Sequence, residues 1–101
     1  MSSYNFTEDA IQDLDEICDR LSTNNYNAVI RFFDAVRPKC KVVANSPNMG
    51  KSYEYLSPKL LGFIVDDYII FYYPTKNGIN VARILSGYRD LESIFLPNAD
   101  N

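Results

Sequence analysis

The feature that most constrains this chain is a change of hydrophobic period halfway along it. Up to Val43, apolar residues recur at steps of three and four, the spacing of one face of a helix. Beyond Pro58 they come in aromatic and branched runs, at 60–65, 68–73 and 79–85, which read as strands. Between the two halves, Asn45-Ser46-Pro47-Asn48-Met49-Gly50 breaks the helical pattern. A chain with helices first and strands second must stack its helices on one sheet, which is an α+β arrangement.

The elements follow from local chemistry. Tyr4 and Phe6 alternate with polar residues in a short strand-like start. Thr7 is placed to cap a helix beginning at Glu8, with Glu8 and Asp9 in the favourable first turn. Ala10, Ile11, Leu14, Ile17, Cys18 and Leu21 form its apolar face, and the helix is expected to end near 22–25. Val29, Phe32, Phe33, Val36, Cys40 and Val43 mark a second helix with Pro38 inside it. That proline is expected to kink the helix or split it near Arg37, because it removes a backbone hydrogen bond. In the second half, Asp66-Asp67 is a plausible tight turn and Asn77-Gly78 a stronger one. Asp90 can cap a last short helix, 91–95, stopped by Pro97. The expected fold is one domain over 1–101. It has an N-terminal strand, an antiparallel helical hairpin packed on a three- to four-stranded antiparallel sheet, and a short C-terminal helix.

Alternation along the middle strand puts Tyr68, Ile70 and Tyr72 on one face and Ile69, Phe71 and Tyr73 on the other. Only one face can lie on the helical hairpin. The other is expected either to form a concave, tyrosine-rich surface open to a partner or to lay its tyrosines flat with their hydroxyls in water.

Bulk properties narrow the function classes. At 101 residues the chain can bury one core, and 47% apolar against 23% charged residues describes a globular domain. The absence of histidine removes the commonest zinc ligand and neutral-pH base. Cys18 and Cys40 lack metal spacing and read as reduced, packed thiols. Neither a metal nor a cofactor is expected. With no apolar run of membrane length and no secretory leader pattern in MSSYNFTEDA, the expected compartment is the cytoplasm. The net charge of −3 is uneven: 1–35 carry seven acids and two bases, whereas 36–59 carry five bases and one acid. Arg37, Lys39, Lys41, Lys51 and Lys59 could meet a phosphate backbone or could simply form a solvated face. Nothing matches the basic stripe of a dedicated nucleic-acid binder, and no direct DNA binding is expected of the chain alone.

A family resemblance rests on the second half. Pro47-Asn48-Met49-Gly50-Lys51, Tyr68-Ile69-Ile70-Phe71-Tyr72, Arg83-Ile84-Leu85 and Gly87-Tyr88-Arg89-Asp90 occur in that order. The series resembles the ParE branch of the RelE/ParE toxin superfamily: P-x-x-G-[RK], a strand ending [IV]-[IV]-[FY]-Y, and a terminal R-[VI]-L-H-G-x-R-D. Thr7-Glu8-Asp9-Ala10 with Asp13-Leu14 also resembles the first helix of that family, so the likeness runs from Phe6 to Phe95. It implies the toxin of a type II toxin–antitoxin (plasmid stabilisation) pair, neutralised by a cognate antitoxin whose C-terminal segment winds around it. ParE toxins poison DNA gyrase, whereas RelE toxins cut mRNA in the ribosome.

The two branches need different residues. RNA cleavage by the 2′-hydroxyl needs proton-transfer groups and cations around the phosphate. Where RelE-like chains carry basic residues this sequence has Leu60, Gly62 and Ile69, and Phe95 stands where a tyrosine is expected. A non-enzymatic inhibitor is therefore the leading expectation; a ribosome-dependent endoribonuclease or a degenerate member that only binds a partner are the alternatives. The chain also departs from the ParE pattern at Leu61, Tyr73 and Ser86, where two arginines and a histidine are usual. No catalytic residue is assigned. Candidates for target binding are Lys51, Arg83, Arg89 and Asp90, and for the antitoxin Tyr68, Phe71, Tyr72 and Tyr73. Each has a plainer reading: Asp90 as a helix cap, Arg83 or Arg89 as its ion-pair partner, Lys51 as a surface lysine.

Overall fold

Helices and strands form where the period places them. The computed structural model describes residues 2–23 and 25–96. In order these are β1 (Ser3–Phe6), α1 (Glu8–Ser22), α2 (Tyr26–Asn45), a 3-10 turn at Pro47–Met49, β2 (Lys51–Ser52), β3 (Leu61–Val65), β4 (Tyr68–Thr75), β5 (Gly78–Ser86) and α3 (Leu91–Phe95). Pro97, expected to stop α3, lies outside the described residues. Thr7 caps α1, its hydroxyl oxygen accepting the Ala10 amide at 3.1 Å. Asn25 caps α2 in the same way, accepting from the Asn27 amide at 2.9 Å.

Pro38 neither ends nor divides α2, which is helical from Tyr26 to Asn45. Pro38 is exposed, so water can satisfy the Asp34 carbonyl it leaves without a donor. Phe32 and Val36 before it and Cys40, Val43 and Ala44 after it are all buried, and this shared core holds both halves of the helix in line.

The sheet has five strands in the order β1-β5-β4-β3-β2 and is mixed. Strands β2 to β5 pair antiparallel, while β1 runs parallel to β5 with Tyr4 beside Ile79 and Phe6 beside Val81. Two features go beyond the sequence expectation. The N-terminal strand joins the sheet in the parallel sense, and β2 adds a two-residue edge strand too short to leave a pattern. Gly78 makes the first possible: with φ of +155° it sits so close to β1 that an added Cβ would lie 1.8 Å from the Ser3 carbonyl oxygen. The β4–β5 loop is Lys76-Asn77, with Gly78 already paired to Thr75.

Two apolar clusters lie on opposite faces of the sheet. One joins the hairpin of α1 and α2 to Phe63, Val65, Ile70, Tyr72, Ile79, Val81 and Ile84. The other joins Ile69, Phe71 and Leu85 to Tyr53, Leu56 and Leu60, with Leu91, Ile94 and Phe95 of α3 packed against it. Of the two readings left open for the second face, the open, tyrosine-rich surface does not form, because this chain's own residues cover that face. Phe71 meets Tyr53 and Phe95 edge-on, at ring-centre distances of 5.0 and 4.9 Å.

Candidate functional site

One irregularity in the sheet organises the charged groups. Phe71 pairs with Arg83 and Tyr72 with Val81, so Ala82 is an extra residue and β5 carries a bulge. The bulge shifts the side-chain alternation: Val81 and Ile84, three apart, both join the helical-side cluster, while Leu85 joins the other. Thr7 holds the bulge from α1, donating its hydroxyl to the Ala82 carbonyl at 2.9 Å and its amide to Val81 at 3.0 Å.

Asp13 of α1 meets the bulge with its carboxylate. Arg83 donates to it twice, at 2.8 and 3.0 Å, and the Ile84 amide donates to it at 2.9 Å. Asp13 is 6% exposed, yet it is fully used: three donors surround two oxygens. The paired hydrogen bonds to Asp13 hold the Arg83 guanidinium charged, raising its pKa against the opposing effect of burial. Arg83 is thus a structural cation whose partner is Asp13, not Asp90. The sequence did carry a signal, since Asp13 lies between Ala10 and Ile17 on the apolar stripe of α1, where an acid needs a buried partner.

Beyond β5 the chain turns sharply. The Gly87 amide donates to the Asp67 carbonyl at 3.0 Å, tying this turn to the β3–β4 hairpin. The Tyr88 amide donates to the Ser86 hydroxyl oxygen at 3.2 Å, and the Arg89 amide to the Ser86 carbonyl at 3.2 Å. Asp90 caps α3, its carboxylate accepting from the Ser93 hydroxyl at 2.6 Å and amide at 3.3 Å, which lowers its pKa. The result is a fixed turn presenting Tyr88, 87% exposed, and Arg89 to solvent. Tyr88 was not among the sequence candidates, because it fills the variable position between Gly87 and Arg89.

The remaining candidates divide by burial. Phe71 and Tyr72 are fully buried and out of reach of a partner in this fold. The Tyr72 hydroxyl donates to the Pro47 carbonyl at 2.6 Å and accepts the Gly50 amide at 3.1 Å. A Cβ on Gly50 would come within 2.5 Å of that hydroxyl oxygen, which explains the spacing of Pro47 and Gly50 physically. Tyr68 is half-buried, its ring 5.2 Å from that of Phe32. Tyr73, also half-buried, shares a 2.6 Å hydrogen bond with the Ser57 hydroxyl. Lys51 is exposed, its ammonium 5.5 Å from the centre of the Tyr53 ring. Leu61 packs on the helical-side cluster, so Leu61, Tyr73 and Ser86 each take a structural part in this fold.

Among the described residues no group of three or more histidines, cysteines or acids could hold a metal, and no helix is long and apolar enough to cross a membrane.

Comparison with known proteins agrees with this architecture. A chain from a solved structure described as the chromosomal ParDE TA system from P. aeruginosa superposes with a TM-score of 0.70 at 18% identity, covering 85% of this chain and 96% of that one. At that identity the likeness speaks to fold. No curated protein matches the sequence. The family model described as the ParE toxin of type II toxin–antitoxin system, parDE, matches residues 4–91, from β1 through the Arg83–Asp13 pair to the first residue of α3, and the chain belongs to that family.

Proposed function

We propose that this protein is a toxin that acts by binding rather than by catalysis, that its target is DNA gyrase, and that a cognate antitoxin holds it inactive. The observation that carries the binding mode is the commitment of Arg83 to Asp13, which uses the one arginine of the central strands for internal support. Phosphodiester cleavage would instead need cations free to meet the phosphate and a positioned acid and base. Besides the exposed Lys51, what remains at the surface is the hydrogen-bonded turn carrying Tyr88 and Arg89, residue types enriched in protein–protein hot spots. Gyrase as the target and the antitoxin as inhibitor rest on family membership.

The test uses the purified chain in two assays. With gyrase and plasmid DNA it is expected to inhibit supercoiling or to accumulate cleaved DNA, and antitoxin added beforehand should prevent this. In a ribosomal toeprint it is expected to leave the mRNA intact. Codon-specific cuts in the toeprint with unaffected gyrase would replace this reading by a RelE-like endoribonuclease.

A further inference from the structure

The cover over the second face of the sheet stops short at one end. Phe63 and Val65 join the helical-side cluster, so the alternation of β3 sends Gly62 and Ile64 to the opposite face. Tyr53 lies over Gly62, where an added Cβ would come within 2.9 Å of its ring. Ile64, two residues on, is left 59% exposed beside its cross-strand partner, the nearly buried Ile69. With Asp66, Asp67, Gly87 and Tyr88 these two isoleucines line an open cleft of about 320 Å³. An exposed isoleucine and an exposed tyrosine in one cleft make the kind of apolar patch that receives a partner.

Gly87 bears on what the cleft is for. Its φ is not in the left-handed region, and a Cβ there would meet only ordinary contacts, 3.8 Å from the Asp67 carbonyl oxygen and the Ile69 side chain. The fold therefore has room for a side chain at this position, and the glycine leaves that space to an occupant. Charge says which occupant. From Leu60 to Thr75 the chain contains Asp66 and Asp67 and no base. Lys59 and Lys76 stand at the other end of β3 and β4, and Arg89, one residue past Tyr88, does not line the cleft. Arg31 shares a hollow with the two acids on the helical side, yet among the described residues neither acid makes an ion pair. Two exposed, unpaired carboxylates beside an apolar cleft favour a basic partner.

We infer that this cleft holds the toxin's target, through a basic segment of that protein which packs an apolar side chain against Ile64 and Tyr88 and sets its cations beside Asp66 and Asp67. The inference rests on the target reading above. It extends that surface from the Tyr88 turn to the β3–β4 hairpin, which the Gly87–Asp67 hydrogen bond already ties together.

The affinity of the purified full-length chain for gyrase, measured without DNA, tests this with Ile64→Lys and Asp67→Lys. Ile11→Lys is the control, since Ile11 is 50% exposed on α1 and lies outside the cleft. Each cleft variant is expected to weaken binding at least fivefold with an unchanged melting temperature, and Ile11→Lys to bind as the unmodified chain does. Rising salt should weaken binding of the unmodified chain more than that of Asp67→Lys, a difference that a folding defect would not produce. Two sites are used so that a defect at one leaves the other decisive. Unmodified affinity in both cleft variants, or an equal loss in Ile11→Lys, would overturn the cleft while leaving the gyrase reading in place. Loss of antitoxin affinity with gyrase affinity intact would give the cleft to the antitoxin and overturn the inference. An unmodified chain that does not bind gyrase would overturn both.

Discussion

At the scale of single residues, Asp13 is the side chain on which most depends. It accepts both Arg83 bonds and the Ile84 amide beside the bulge, so Asp13→Ala strands a cation and a backbone donor together. Removing one partner of such a pair costs about 3 kcal/mol, and urea unfolding should show a loss of that size. Cys40 gives a second prediction. It is completely buried, and burial pushes its thiol up from the ordinary value of 9.0 to about 12. The folded state therefore favours the protonated thiol. Its contribution to stability is complete below pH 9, where the unfolded thiol is also protonated, and is lost as pH rises from there toward 12. Titration with a thiol reagent near neutral pH should find Cys40 unreactive in the folded chain and reactive in denaturant. Neither Asp13 nor its link to Arg83 could be read from Arg83 alone, since the two lie 70 residues apart and only the α1 stripe hints at a buried acid.

At the scale of elements, periodicity and capping carried most of the information. Thr7, Asn25 and Asp90 all cap helices, and the core positions of α1 and α2 fall on their apolar stripes. What escaped was set by tertiary packing. The direction of β1 depends on the close approach of Gly78 to Ser3, and the continuity of α2 depends on buried side chains on both sides of Pro38. Gly78→Ala is accordingly expected to lower stability by about 2 kcal/mol or more, because it combines left-handed strain with a backbone clash. Amide exchange should show the loss concentrated in β1. Pro38→Ala should do the opposite. Restoring a helical hydrogen bond at an exposed site, it should stabilise α2 by about 1–3 kcal/mol, readable as a melting temperature higher by several degrees.

At the scale of the whole molecule, the fold uses both faces of its sheet internally and leaves function to its margins. The alternation of β4 correctly implied two apolar faces, but sequence could not show that residues 53–60 and α3 would cover the second. That cover is why Phe71 is out of reach, whereas Tyr72 is buried on the opposite face under the helical hairpin; Tyr88, at a position without a pattern, is the most exposed large apolar side chain among the described residues. Surface residues outside the core support binding without supporting the fold, so Tyr88→Ala and Arg89→Ala should keep stability within about 0.5 kcal/mol of the unmodified chain. The most direct measurement is a count of viable cells after induction of the chain alone in a susceptible bacterium, with Arg89→Ala and Asp13→Ala induced in parallel. A sharp loss of colonies is expected for the unmodified chain. Arg89→Ala should be soluble, folded and weakened in killing, while Asp13→Ala should fail through loss of folded protein. Full growth with soluble, folded, unmodified chain would contradict the claim that this protein is an active toxin, and undiminished killing by Arg89→Ala would remove that arginine from its target surface.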